Sequence, residues 1–275
     1  MERANVVIIG GGVYGASVTY HLAGMGCDDV VLLEKDSLAS GSSGKSCALI
    51  RQHYSNEITI WAAMESRKFF EVFEKEVGGY PGYVHNGMLF LAHEREAGAL
   101  EKNVRLQQRV GIEVEIVEPG GVGEHLAGLD VSDIALACFE SSAGYADPHG
   151  VVTAFGAKAR ELGAKIYQGR EATGIEIDNG AVKAVQTTEG IIQTEMVVNA
   201  AGPWGERVGA MVGRDLPLKP TRIQESVVQP LKPFEKTAPT VIDPGESLYF
   251  RPETGGLVMA GGGTAEEDKD FDPDD

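Results

Sequence analysis

A glycine-rich turn between two short apolar segments near the N-terminus constrains the fold of this chain more than any other feature. Residues 5–9 form an apolar run that enters Gly10-Gly11-Gly12-Val13-Tyr14-Gly15, and a second apolar run ends on Glu34, 19 positions after Gly15. Residues 16–24 between them have helical character. This order of strand, glycine turn, helix and acid-terminated strand predicts a βαβ unit that binds an adenine dinucleotide.

Each glycine of the turn has its own role in that interpretation. Gly10 makes the tight turn, Gly12 lets the backbone approach a pyrophosphate, and Gly15 lets the helix pack closely against the strand. The N-terminus of the helix then faces the phosphates, and the Glu34 carboxylate accepts hydrogen bonds from a ribose diol. The alternative is a glycine-rich βαβ turn without a ligand.

Length and composition are those of an ordinary globular protein. The chain has 275 residues, 43% of them hydrophobic, and can form one large or two modest domains. No apolar run reaches the roughly 18 residues that a membrane helix needs. Because the first strand begins almost at once, we expect no signal peptide and a cytoplasmic location. The three cysteines, Cys27, Cys47 and Cys138, are too widely spaced to indicate a disulfide framework or a metal site.

The charge is strongly negative and partly local. A formal net charge of -17 argues against nucleic acid or an anionic membrane as a partner, because both would be repelled. Residues 266–275 are almost wholly acidic, so we expect a solvated linker or the cut end of a longer chain.

The rest of the chain alternates between helical and strand-like patterns. Helical spacing predicts helices over residues 57–77, 94–110 and 148–162. The dipeptide Asn179-Gly180 between two alternating runs predicts a hairpin within a small antiparallel meander. Strand patterns cover residues 83–92, 113–117, 196–199, 223–228, 247–251 and 256–261.

Several segments, in a fixed order, carry a resemblance to a known family. They are residues 6–35, the loop 38–43, Ile50-Arg51, residues 145–148, residues 197–204 and residues 248–252. Together they resemble the FAD-dependent amine and amino-acid oxidoreductases of the D-amino-acid oxidase superfamily. The branch they resemble most contains the sarcosine oxidase β-subunit and dimethylglycine dehydrogenase.

The resemblance implies an α/β fold, α+β overall, with two discontinuous domains. Residues 1–80 and 145–215 would form a Rossmann-like FAD-binding domain with the antiparallel meander. Residues 81–144 and 216–265 would form a second, mixed-sheet substrate domain.

FAD is the cofactor that the resemblance implies, and no metal is implied. The implied cofactor-binding residues come from the glycine turn, the second strand, the following loop and the meander side. They are Gly10, Gly12, Val13, Tyr14, Gly15, Glu34, Lys35, Ser42, Ser43, Ala48, Leu49, Ala172, Ala201, Gly202 and Trp204.

The resemblance also implies a substrate and a reaction. Arg51, Tyr249 and Arg251 would bind a secondary or tertiary amino acid of the sarcosine or dimethylglycine class. Arg51 would orient the substrate carboxylate as the principal catalytic residue, since a guanidinium binds a carboxylate through two hydrogen bonds. Hydride transfer to flavin would then give an imine. The alternative for Arg51 is a structural salt bridge.

The partners and the rival functions stay open at this stage. The electron acceptor is either oxygen or a carrier protein, and the chain is either part of a hetero-oligomer or a homo-oligomer. A first rival is oxidation of glycerol 3-phosphate or a 2-hydroxy acid on the same scaffold. A second rival is a non-catalytic subunit or fragment that supplies half of a flavin site.

Overall fold

The computed structural model describes residues 2–262 and 272–274 of the chain, and within them lie six α-helices and seventeen strands. The helices are α1 (Val13–Gly24), α2 (Glu57–Glu76), α3 (Glu94–Val110), α4 (Val122–His125), α5 (Pro148–Glu161) and α6 (Gly205–Ala210). The strands are β1 (Glu2–Arg3), β2 (Val6–Ile9), β3 (Val30–Glu34), β4 (Leu49–Ile50), β5 (Met88–Ala92), β6 (Val114–Val117), β7 (Leu136–Glu140), β8 (Gly144–Tyr145), β9 (Lys165–Gln168), β10 (Ala172–Asp178), β11 (Ala181–Thr187), β12 (Gly190–Gln193), β13 (Val197–Asn199), β14 (Gln224–Val228), β15 (Thr240–Asp243), β16 (Leu248–Glu253) and β17 (Leu257–Gly262).

A four-stranded parallel sheet with the order β13-β2-β3-β9 forms the first core. The residues of β2 and the first four of β3 are buried on both faces, which is why these strands read as continuous apolar runs. Ile8 and Leu32 pack with α1 and α5 on one face, while Val7 and Val31 pack with the meander on the other. This layered sheet confirms the predicted α/β class with a Rossmann-like unit.

The meander forms its own sheet with the order β1-β12-β11-β10. Its hairpin turns at Asn179 and Gly180, both with positive φ, as an Asn-Gly turn requires. The sheet covers the parallel sheet through Ala172, Val185 and Ile192. The predicted hairpin is therefore confirmed.

A seven-stranded mixed sheet has the order β14-β17-β16-β15-β5-β7-β6. All neighbouring strands are antiparallel except β15 and β5, which are parallel. Helix α3 packs on one face through Leu100 and Val104, and α4 packs on the other through Val122. The strands of this sheet come from residues 88–140 and 224–262, with the chain returning to the parallel sheet between them.

A two-stranded ladder of β4 and β8 lies where the chain passes between the two larger sheets. It pairs Leu49 with Tyr145 and Ile50 with Gly144. Arg51 follows β4 directly, so this ladder determines where the predicted substrate arginine lies.

Most of the predicted elements are present, and two of the differences concern the seven-stranded sheet. The strand predicted over 83–92 is shorter, because Gly82 and Gly87 have positive φ and interrupt the extended backbone before Met88. Strand β15 was not predicted, since it is four residues long in a proline-rich stretch. No helix within residues 2–262 and 272–274 is long and apolar enough to cross a membrane.

Candidate active site

A cleft lies at the carboxyl ends of β2, β3 and β13, the edge where parallel sheets place their ligands. It encloses about 360 Å³. Most of the cofactor residues predicted from the sequence line it, namely Gly10, Gly12, Val13, Tyr14, Glu34, Lys35, Ser42, Ser43, Ala172, Ala201, Gly202 and Trp204. The structure therefore brings together side chains and backbone from five separate stretches of the chain.

The glycines of the turn have no room for a side chain. A Cβ on Gly10, whose φ is +112°, would lie 2.4 Å from the Ala200 carbonyl oxygen, and a Cβ on Gly15 would lie 1.8 Å from the Gly10 carbonyl oxygen. A Cβ on Gly12 would lie 2.9 Å from the Ser43 hydroxyl oxygen. Gly15 itself is buried below the cleft. Bare backbone at these points fits the close approach of a pyrophosphate.

Ser43 and Glu34 hold the turn in place. The Ser43 hydroxyl oxygen accepts a hydrogen bond from the Val13 backbone N–H at 3.0 Å, in the first turn of α1. The Glu34 carboxylate accepts from the Gly11 N–H at 2.6 Å and from the Asp36 N–H at 2.9 Å. Each carboxylate oxygen keeps lone-pair capacity for a ribose hydroxyl. Both side chains therefore shape the cleft and remain able to contact a dinucleotide.

A cluster of charged and aromatic side chains in the same cleft includes a residue that the sequence analysis missed. The Lys35 ammonium lies 4.2 Å from the centre of the Trp204 ring. The Asp274 carboxylate accepts hydrogen bonds from Lys35, from the Trp204 indole N–H at 2.8 Å and from Arg207. These bonds hold the pKa of Asp274 well below its usual range, and the bond from Lys35 contributes most. The signal for Arg207 was its place one helical turn beyond Trp204.

The predicted acidic linker, residues 266–275, is described only at 272–274. There Asp272 and Asp274 contact Arg207 at the rim of the cleft. The remaining residues of that prediction lie outside the described part of the chain.

A second region lies beside the cleft, where the loop before β4 meets the seven-stranded sheet. The Cys47 backbone N–H donates to the Glu225 carboxylate at 2.9 Å, and the Arg251 Nε–H donates to the Cys47 carbonyl at 2.9 Å. The predicted residues Ala48 and Leu49 follow directly, with Leu49 in β4. These bonds fasten the loop to β14 and β16.

Tyr249 lies against this face of the sheet because Gly261 has no side chain there. Tyr249 and Glu225 are both register partners of Gly261, and the Tyr249 hydroxyl donates to Glu225 at 2.8 Å. A Cβ on Gly261 would lie 2.2 Å from the Tyr249 hydroxyl oxygen, so only glycine leaves this path open. Burial and the Glu225 hydrogen bond raise the pKa of Tyr249 above its usual range. Burial and the nearby Glu225 charge raise the pKa of the Cys47 thiol.

Arg251 lies among protein partners. It is 3% exposed, forms an ion pair with Glu253 at 3.0 Å and donates to the Pro252 carbonyl at 2.7 Å. Its guanidinium lies 4.4 Å from the centre of the Tyr145 ring. These contacts, with the bond to Cys47, join β16 to the β4–β8 ladder. Its predicted role in binding substrate stays a prediction.

Arg51 is half-buried and has different surroundings. Its guanidinium contacts the His53 carbonyl and lies 4.4 Å from the centre of the Tyr54 ring. In the described part of the chain it thus meets a carbonyl and an aromatic ring, with no carboxylate at ion-pair distance. The alternative of a structural salt bridge finds no support among these contacts.

A buried polar cluster lies directly behind Arg51 and was also missed. The fully buried Glu140 carboxylate accepts from the Gln52 backbone N–H at 2.9 Å and from the Gln52 side-chain amide at 2.9 Å. Next to it, burial lowers the pKa of His53 to about 4, assisted by the Arg51 charge. An acid that ends a buried strand could have drawn attention to Glu140.

Comparison with known proteins agrees with the cleft geometry. Residues 5–275 match the protein family described as FAD dependent oxidoreductase. The chain is 30% identical over 264 residues to human mitochondrial dimethylglycine dehydrogenase, covering 94% of this chain and 30% of that protein. It is 29% identical over 269 residues to sarcosine oxidase subunit beta of Arthrobacter sp, covering 94% of this chain and 65% of that protein.

A solved structure shows the same architecture. L-proline dehydrogenase from P. horikoshii superposes with a TM-score of 0.88 and 31% sequence identity, covering 95% of this chain and 70% of that chain. The chain thus spans about 30% of the length of the dimethylglycine dehydrogenase that it matches and about two thirds of the shorter relatives. The resemblance predicted from the sequence is confirmed. Since the family match covers nearly all of the chain and the glycine cleft fits the cofactor, this chain belongs to the FAD-dependent oxidoreductase family, and its cofactor is FAD.

Proposed function

We propose that the protein containing this chain oxidises a secondary or tertiary amino acid of the sarcosine or dimethylglycine class to an imine. The observation that carries the proposal is the Arg51 guanidinium. It follows the loop that contains Ala48 and Leu49, and it has no carboxylate partner among the described residues. The relatives named dimethylglycine dehydrogenase and sarcosine oxidase subunit beta support this substrate class. FAD, when bound, supplies the acceptor for the two electrons of the oxidised C–H bond.

Different residues of the cleft would hold different parts of the cofactor. Gly10 and Gly12 leave backbone open to the pyrophosphate, and Glu34 would accept hydrogen bonds from a ribose. Lys35 and Arg207 also line the cleft, where Asp274 compensates their charge. Ala48 and Leu49, in the loop fastened by Glu225 and Arg251, would lie toward the ring system.

Arg51 would bind and orient the substrate. The guanidinium presents several N–H donors in one plane and can grip a carboxylate through two of them. The Tyr54 ring and the His53 carbonyl fix that plane before any substrate arrives. Holding the carboxylate in one place leaves the substrate nitrogen and its C–H bond with a restricted set of orientations, which lowers the entropic part of the barrier.

We also propose that the protein works with protein partners. The name of the Arthrobacter relative identifies a subunit of a larger assembly. By the family resemblance, the run Leu257-Val258-Met259 in β17 would stand where several simple oxidases place a lysine that promotes reaction with oxygen. Transfer of electrons to a carrier protein is the acceptor chemistry that this composition favours.

The test is an absorption spectrum of the purified protein before and after anaerobic addition of sarcosine, dimethylglycine, proline and glycerol 3-phosphate. We expect flavin bands that bleach with an N-methyl amino acid. Arg51→Ala should raise the substrate concentration needed for half-maximal bleaching, while Arg95→Ala, on an exposed site of α3, serves as the matched control. Bleaching by glycerol 3-phosphate alone would favour the rival substrate class, and a colourless protein would favour a non-catalytic half-site.

A further inference from the structure

The buried carboxylate of Glu140 demands an explanation because an ionisable group in a protein core is costly. Glu140 is the last residue of β7 and is 0% exposed. Desolvating a carboxylate costs several kcal/mol unless hydrogen bonds or a cation compensate for it. Burial raises the pKa of Glu140, and the hydrogen bonds from Gln52 together with the Arg51 charge limit that rise.

The hydrogen bonds to this carboxylate come from the two residues directly after Arg51, with Gln52 contributing most and the His53 backbone N–H adding to them. The Gln52 backbone N–H reaches the two carboxylate oxygens at 2.9 and 3.2 Å, and the Gln52 amide donates at 2.9 Å. The same amide donates to the Ser142 hydroxyl oxygen at 2.7 Å. Gln52 is itself only 1% exposed. The peptide that follows Arg51 is therefore anchored to the seven-stranded sheet.

The anchored peptide continues to the group that holds Arg51. Arg51 contacts the carbonyl of His53, and the His53 ring is fixed on two sides. It stacks on Phe90 with ring centres 4.3 Å apart, and its Nδ1 lies 3.0 Å from the Gln107 amide nitrogen. A continuous set of contacts thus runs from the Glu140 carboxylate through residues 52 and 53 to the Arg51 guanidinium.

We propose that Glu140 is a positioning residue for the substrate carboxylate, acting through the backbone of residues 52–53 on the guanidinium of Arg51. This inference rests on the proposed function, in which Arg51 binds that carboxylate. A glutamine at position 140 would turn an amide NH₂ toward the donors of Gln52, so it cannot accept all three bonds. The His53 carbonyl would then shift, and Arg51 with it.

The sign of the effect separates positioning from simple electrostatics. A negative charge behind Arg51 repels an anionic substrate, so removing that charge alone would tighten carboxylate binding. Releasing the peptide that positions Arg51 would weaken it, and a displacement of about 1 Å at a site of this kind can cost as much as a hundredfold. Only the second outcome agrees with the proposal.

The test uses methoxyacetate, an analogue of sarcosine with an ether oxygen in place of the amine, titrated into the FAD-loaded protein by its effect on the flavin spectrum. We expect Glu140→Gln to raise the Kd for methoxyacetate roughly tenfold or more while the Kd for the neutral methoxyacetamide stays unchanged. Glu115→Gln is the matched control, since it removes the same charge from an exposed site on the neighbouring strand β6. Tighter or unchanged methoxyacetate binding would overturn the proposal.

A double-mutant cycle separates this inference from the proposed function. In an Arg51→Ala background the effect of Glu140→Gln on methoxyacetate should vanish, because the two residues act in series. If Arg51→Ala itself leaves the Kd unchanged, the proposed role of Arg51 fails; if only Arg51→Ala raises it, the positioning role of Glu140 fails. Should Glu140→Gln not fold, Gln52→Ala replaces it, with a smaller rise expected and an unchanged Kd overturning the proposal.

Discussion

The dinucleotide cleft and the region around Arg51 lie side by side but are built in different ways. The cleft depends on backbone that approaches closely at Gly10, Gly12 and Gly15, all within six consecutive residues. The Arg51 region depends on side chains such as Glu140 and Tyr249, which come from distant parts of the chain and bond to the segment around Arg51 or to its neighbours only once the seven-stranded sheet has formed. A backbone site is encoded by a short motif, whereas a side-chain site exists only after the whole topology has formed.

This difference predicts how the two regions respond to substitution. Where backbone fills the space, one added methyl group has nowhere to go and the effect should be nearly all-or-none. Where several side chains together hold a site in place, substitution of any one of them should have only a partial effect. The following experiments test that contrast.

The largest effect is expected for Gly15→Ala. The new Cβ would lie 1.8 Å from the Gly10 carbonyl oxygen, so either α1 or the turn must move. We expect loss of bound FAD, measured as the flavin-to-protein absorbance ratio, and a lower Tm. Gly24→Ala in the same helix is the control, because its Cβ would meet only Leu162 at 3.9 Å, and it should leave FAD content unchanged. Normal FAD content in Gly15→Ala would break the contrast.

Arg251→Lys should cost the most stability in the side-chain region. A lysine cannot keep the bonds to the Cys47 and Pro252 carbonyls together with the stacking on Tyr145. We expect the free energy of unfolding in urea to fall by about 3 kcal/mol. If stability is retained and only the KM rises, Arg251 belongs with substrate binding, as the sequence predicts.

His53 should make the Arg51 region sensitive to acid. Its pKa in the folded protein, about 4, lies below the ordinary value of 6.5, so the folded state favours the neutral ring. The free energy of unfolding is therefore highest above pH 6.5. It falls by up to about 3 kcal/mol as the pH drops toward 4, because in this interval the unfolded chain binds a proton that the folded protein does not. His53→Asn should flatten the pH dependence of the free energy of unfolding over this interval, with the exposed His149→Asn as control. An unchanged slope would contradict the prediction.

Tyr249→Phe should have the smallest effect. It removes the hydrogen bond to Glu225 but leaves Cys47 bonded to the same carboxylate. Because the pair is only partly buried, we expect the free energy of unfolding to fall by about 1 kcal/mol, measured by urea denaturation. A loss as large as that of Arg251→Lys would show that the side-chain region fails as one unit, which would weaken the contrast drawn above.

The same contrast explains what could be predicted from the sequence. Apolar periodicity and the Asn179-Gly180 turn are local signals, and the helices and the hairpin they predict are present. Gly10, Gly12 and Gly15 were predictable from the motif, which determines their spacing and backbone conformation, whereas the other cleft residues were predicted from the family resemblance. The division into domains at residues 81, 145 and 216 remains a proposal, as do the roles of the individual site residues.

The contacts of Glu140 and Glu225 could not be predicted, because the partner of each lies far away in the sequence. Glu140 matters through its contact with Gln52, 88 positions earlier, and Glu225 through its contact with Cys47, 178 positions earlier. Such pairs depend on the sheet order, which local patterns do not determine. An acidic residue in a strand has the same appearance in sequence whether it faces solvent or a buried amide.

The parallel sheet has a consequence for synthesis on the ribosome. Strands β2 and β3 emerge first, but their outer neighbours β9 and β13 start only at residues 165 and 197, and the Ala200 carbonyl against which Gly10 packs comes later still. At roughly 5–20 residues per second, the N-terminal unit waits about 10 to 30 seconds for these strands. During translation the cofactor cleft is therefore among the last parts of this sheet to close, although its motif is among the first to be made.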